Sequence, residues 1–157
     1  MGLFKKEGGP DPASIKKVEA LLSSNLGIPV NLGAGKCNFK WGSSQLEIEL
    51  RKKDEALGHP ETLAIYAYVL FAAPYDESIY RYLMTESNTP YIEWQVDEQT
   101  LKDESVVQTV TCGTYMLMST VTQENIDFLL AIVAQCAVSW DYKLQMRFGG
   151  YRAEEII

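Results

Sequence analysis

Apolar residues recur at Ile126, Leu130, Val133, Ala137, Trp140 and Leu144, at spacings of four, three, four, three and four. That rhythm places all six on one line of an α-helix and predicts a single helix over 122–150. Phe128, Leu129, Ile132 and Cys136 widen the apolar surface in its first half only. Thr122 suits the N-cap, Glu124 the positive end of the dipole, and Gly149-Gly150 a left-handed stop. At 1.5 Å per residue the rod measures roughly 40 Å. That exceeds what a small domain needs, so its far end is expected to meet a partner.

Upstream the period alternates between helix and strand. Asp11-Pro12 opens a helix with Ile15, Val18, Leu21 and Leu22 on its apolar face, stopped by Gly27 before Pro29. Lys36 to Trp41 and Gln45 to Arg51 read as a hairpin about Gly42-Ser43-Ser44. In its second arm Leu46, Ile48 and Leu50 oppose Glu47, Glu49 and Arg51, the signature of a half-buried strand. Leu63 to Ala72 is apolar on both sides and predicts a central strand. Leu63, Ile65, Ala67, Val69 and Phe71 share one face; Ala64, Tyr66, Tyr68 and Leu70 share the other. A second helix is expected over 74–88, an alternating strand over 91–97, a polar loop over 98–104, and a Thr- and Val-rich strand from Ser105 to Cys112. The order α-β-β-β-α-β-β-α lacks a β-α-β rhythm. It predicts an α+β domain over 11–150, an antiparallel five-stranded sheet with helices mainly on one face. Residues 1–10 and 151–157 are expected to be tails.

Composition narrows the function more than it names it. The 157 residues include 14 basic and 21 acidic ones, a net charge of −7. The longest basic cluster, Arg51-Lys52-Lys53, is followed at once by Asp54-Glu55. Nucleic acid is therefore not an expected partner. No apolar run reaches membrane-span length, and Met1 to Lys6 has neither a signal-peptide core nor a myristoylation pattern, so a cytoplasmic protein without a membrane partner is expected. Cys37, Cys112 and Cys136 are odd in number and widely spaced, as for reduced structural thiols.

The candidate chemistry is thin. Gly33-Ala34-Gly35-Lys36 lacks the first glycine and the hydroxyl residue of a phosphate loop and reads as a turn. His59 is the only histidine and sits in a Gly-His-Pro turn, so a multi-histidine metal site and a histidine-based triad have no basis. Glu47 and Glu49 share a strand face expected to be wet, and Cys37 has one lysine beside it. No enzyme activity and no cofactor are expected.

The aromatic total is more informative: nine Tyr and three Trp exceed what a core of this size requires. If the helices cover one sheet face, Tyr66, Tyr68 and Leu70 stand on the other, in the composition enriched at protein interfaces. With Trp94 they form the expected protein-binding set. Trp140 and Leu144, on the later part of the long helix, are the expected dimer contacts.

The long helix also carries a family likeness. Thr122-Gln123-Glu124-Asn125-Ile126-Asp127-Phe128-Leu129-Leu130 and Leu144-Gln145-Met146-Arg147-Phe148-Gly149-Gly150 resemble the closing helix of the YbjN family, which opens Thr-x-Glu and ends Arg-Phe-Gly-Gly. Tyr82 to Asn88 resembles that family's middle helix. The resemblance implies the fold shared with type III secretion chaperones and a small cytoplasmic homodimer that binds a protein client or regulatory partner. It brings no catalytic residue. The alternative is a regulator that senses a small molecule held between the sheet and the C-terminal helix.

Overall fold

A computed structural model describes residues 8–156; the expected tail over 1–10 lies largely outside them. The elements run α1 (Pro12–Leu26), β1 (Lys36–Trp41), β2 (Ser44–Arg51), β3 (Thr62–Pro74), α2 (Ile79–Glu86), β4 (Glu93–Thr100), β5 (Val106–Leu117), a 3₁₀ turn (Met118–Thr120), α3 (Gln123–Phe148) and α4 (Ala153–Ile156). The strands form one antiparallel sheet in the order β1-β2-β3-β5-β4, with β3 in the middle. The α+β class, the element order and the central strand agree with the sequence pattern.

The long helix is continuous over 26 residues. Thr122 caps it by accepting from the Asn125 backbone N–H at 3.2 Å. Its stripe lies on the sheet: Ile126, Leu130, Val133, Ala137 and Leu144 are buried against Leu46, Ile48, Leu63, Ile65, Ala67 and Val110. Helix α1 packs on α3, where Asn25 Nδ2 donates to Asp127 at 2.7 Å and Gln123 Nε2 to the Leu21 carbonyl at 3.0 Å.

The far end of α3 is covered by the chain itself. Leu144 has no exposed surface, which overturns its expected role as a dimer contact. Trp140 is half-buried and meets Tyr82 and Trp94 edge to face, with centroids 6.3 and 5.9 Å away. Tyr82 also meets Phe148 at 5.5 Å, and the Arg147 guanidinium lies 4.4 Å from the Tyr82 centroid. Helix α2 and strand β4 thus supply the surface that a partner was expected to provide.

Three boundaries differ from the local pattern because strand pairing overrides it. Strand β3 runs on to Pro74, since Ala73 and Pro74 pair with Gln108 and Val107. Helix α2 therefore starts later, after Asp76 accepts from the Ser78 N–H at 2.8 Å. The polar stretch after Asp97 continues β4, with Glu98 opposite Gln108 and Thr100 opposite Val106. Residues 151–156, expected to trail free, are tied down. Tyr151 exchanges two 2.8 Å backbone hydrogen bonds with Phe71, beyond the last β2 pair, and Ala153 is buried. Gly150 (φ +86°) permits the approach, because a Cβ there would sit 2.6 Å from the Phe71 carbonyl.

Candidate functional site

The sheet face opposite α3 carries a concavity of about 510 Å³ lined by residues of all five strands and of no helix. Its floor is small: Ala64, Thr111 and Gly113. Its walls are Tyr66, Tyr68 and the exposed Tyr115. Gly113 is required by close approach rather than by dihedral angle. It pairs with Tyr66, and an added Cβ would lie 2.5 Å from Tyr66 Cβ and 2.6 Å from the Ile65 carbonyl. The wall tyrosines form a row, Tyr66 to Tyr68 at 6.3 Å edge to face and Tyr68 to Phe71 stacked at 5.0 Å.

Phe71 reaches this row through a β-bulge, and the same bulge removes Leu70 from it. The β3–β5 register shifts between Tyr68 and Leu70 and again before Ala73, where Ala72 takes a positive φ of 48°. Val69 and Leu70 both turn inward and are fully buried. Strict alternation assigns Leu70 to the open face and Phe71 to the core; an extra residue reverses every assignment after it. Leu70 is therefore a core residue and not part of a binding surface. Trp94 borders the same concavity, but its ring is packed on the α3 side of the sheet. It lies beside Trp140, and its indole N–H donates to Ser87 Oγ at 2.8 Å. Of the four residues in the expected set, Tyr66 and Tyr68 stand side by side on the open face.

What joins them is Glu47, expected on a wet surface yet only 3% exposed. Glu47 is opposite Tyr66 across the β2–β3 ladder. Its carboxylate accepts from the Tyr66 hydroxyl and, at 3.1 Å, from the Tyr68 hydroxyl, and it pairs with Lys36 Nζ at 2.5 Å. Burial alone would raise the Glu47 pKa, but the hydrogen bonds from Lys36, Tyr66 and Tyr68 outweigh it and hold the carboxyl below its ordinary range. Burial, reinforced by the Glu47 charge, pushes both phenols above theirs. Lys36 is raised by its hydrogen bond to Glu47. The result is an ionised carboxylate locked between two neutral tyrosines and a lysine. It fixes both tyrosine hydroxyls on the open face of the sheet.

The remaining candidates have plain structural places. Gly33-Ala34-Gly35 turns the chain into β1, with Leu50 N–H donating to the Gly35 carbonyl at 2.7 Å. His59 closes an exposed turn through a backbone bridge to Asp54. Cys112 and Cys136 are buried and Cys37 is half-buried. The space between α3 and the sheet, where a small ligand was the alternative expectation, is occupied by fully buried Leu, Ile and Val side chains. Sequence reasoning missed Lys36 and Glu47 as site residues. The period-2 pattern does put Glu47 on the tyrosines' face, but the register that brings them together is not readable from it.

No protein-family model and no curated protein matches the chain. Two solved structures are similar in fold. One is a chain of the ExsC-ExsE complex, 18% identical with a TM-score of 0.56, covering 82% of this chain and 93% of that one. The other is a chain of the HopA1-SchA chaperone-effector complex, 12% identical with a TM-score of 0.50, covering 84% and 98%. With the antiparallel sheet and its helices, these likenesses show that the chain has the type III secretion chaperone-like fold.

Proposed function

We propose that this chain is a non-enzymatic, chaperone-like protein-binding module that receives a client or regulatory partner on the open face of its sheet. The observation that carries the reading is the row Tyr66, Tyr68 and Phe71 beside the groove, its two hydroxyls pinned by one buried carboxylate. Pre-ordered aromatic rings lose little conformational freedom on binding, so their apolar area converts efficiently into affinity. The fold likeness supports it, since both similar chains come from complexes, one of them named for a chaperone and its effector. Glu47 is the groove's buried carboxylate, and a carboxyl held ionised by three donors is poorly placed for general acid chemistry.

We further propose a homodimer acting in the cytoplasm, and kinship with the YbjN family through the two ends of α3. With Leu144 internal, the surface that suits a second copy is the edge strand β4 with α2. There exposed Tyr80 and Met84 flank the half-buried Trp94 and Trp140. An unpaired strand edge beside apolar side chains is a ready association surface.

The test is site-specific photo-crosslinking in the source cell, with a photoreactive phenylalanine analogue at Tyr115 in the groove and at Met146 on the outer side of α3. Client crosslinks at position 115 and not at 146 are expected. Equal labelling, or none at 115, refutes the open-face assignment. Light scattering across micromolar concentrations tests the dimer, and a strict monomer removes that part.

A further inference from the structure

Cys112 lies in β5 on the face that α3 covers, and Cys136 lies midway along α3; both are buried and both are free thiols. Cys112 Sγ is 3.8 Å from the carbonyl of Val133, three residues before Cys136 and so on the same side of the helix. Each thiol shifts the titration of the other, and the Thr89 side chain favours the Cys136 thiolate. Thr89 in turn lines a surface concavity of about 400 Å³ between α2 and β4, with Tyr80, Met84, Ser87, Ile92 and Trp94 among its walls. A recess open to solvent therefore ends one side chain away from a thiol pair that bridges the sheet and its covering helix. The third cysteine, Cys37, is on the edge strand β1.

We propose that Cys112 and Cys136 are a modification site, forming a reversible intramolecular disulfide that staples β5 to α3. The oxidant is a hydroperoxide small enough for the recess, with hydrogen peroxide as the probe. The Cys136 thiolate attacks the O–O bond, taking one oxygen to become a sulfenic acid while the other leaves as water once protonated. The Cys112 sulfur then displaces the hydroxyl of that sulfenic acid, the S–S bond forms and a second water leaves. Two thiols are oxidised, one peroxide is reduced, and a dithiol reductant reverses the change. The local chemistry assigns these roles. The neighbouring Cys112 side chain lowers the Cys136 thiol, with Thr89 adding to it, while its proximity to Cys136 and its burial hold Cys112 well above the ordinary cysteine range. Both residues are in regular elements packed on each other, so the bond would restrain the unfolded chain and resist separation of α3 from the sheet.

Disulfide formation here is independent of client binding on the opposite sheet face. A second copy seated on α2 and β4 would roof the recess, so the experiment uses the full chain at high dilution. The chain is treated with hydrogen peroxide, the remaining thiols are alkylated, and non-reducing peptide mass mapping is combined with thermal unfolding. The expected result is a linked peptide pair containing Cys112 and Cys136, and a melting temperature raised by several degrees that dithiothreitol restores. Cys37→Ser should leave both readouts unchanged. Mapping that finds Cys112 and Cys136 alkylated, over-oxidised, or joined to Cys37 instead overturns the proposal. Because the mapping is done on the unaltered chain, its result does not require a core-cysteine variant to fold.

Discussion

Replacing Glu47 with Gln keeps the side chain's size and removes only its charge, which isolates what the carboxylate contributes. Two phenol hydroxyls donate to it within the sheet face. A hydrogen bond to a charged group is worth about 1.5–3 kcal/mol and a neutral one about 0.5–1.5, so about 1 kcal/mol is lost at each tyrosine. The Lys36 side chain is 55% exposed, and such a screened pair adds little. Desolvation of the carboxylate opposes these gains, which leaves an expected cost for Glu47→Gln of about 1–2 kcal/mol at neutral pH. The folded carboxyl titrates below its unfolded value. Its contribution is therefore complete above the unfolded pKa of about 4.3 and disappears as pH falls through the lower folded value. Urea unfolding of the parent and the variant at pH values from neutral down to about 3 measures this directly. The two curves should be separated at neutral pH and converge in acid. Coincident curves at neutral pH, or a gap that persists unchanged into acid, would refute the carboxylate's role.

The opposite limb of the pH profile belongs to Tyr66, Tyr68 and Lys36, all raised in the folded chain. Their contribution is full below about pH 10 and is lost as pH rises through the folded values, so Tyr66→Phe should shallow the alkaline fall in melting temperature. Gly113→Ala puts a Cβ 2.5 Å from Tyr66 Cβ; it should cost about 1–3 kcal/mol in denaturant unfolding, and a cost near zero contradicts the close approach. Leu130→Ala and Leu144→Ala, both fully buried, should each lose about 2–5 kcal/mol. If Leu144→Ala keeps its stability but dissociates a dimer, its placement in the core is wrong. Gln135→Ala, on the exposed side of α3, should change stability by less than about 0.5 kcal/mol.

Much of this chain is written locally. The stripe from Ile126 to Leu144, with Thr122 and Gly149 at its ends, specifies α3 because helix periodicity and capping act within a few residues. The two apolar sides of Leu63 to Ala72 mark β3 as central for the same reason, since side-chain alternation needs no partner to be read. That alternation puts Tyr66 and Tyr68 on one face, and helices confined to the other face leave it open. The element order and the α+β class follow from such signals taken in sequence.

Tertiary structure decided what depends on distant pairing. The bulge at Val69 and Leu70 arises from the fit of β3 to β5, and it exchanges the fates of Leu70 and Phe71 without any local cue. Glu47 looks like a solvated strand residue until the β2–β3 register sets it opposite Tyr66 and within reach of Tyr68 and Lys36. Trp94 and Leu144 read as surface candidates, yet α2 folds against β4 and α3 and takes both into contacts within the chain. Periodicity reports which side of an element is apolar. What that side meets is set by loop closure and register, which act across the whole chain.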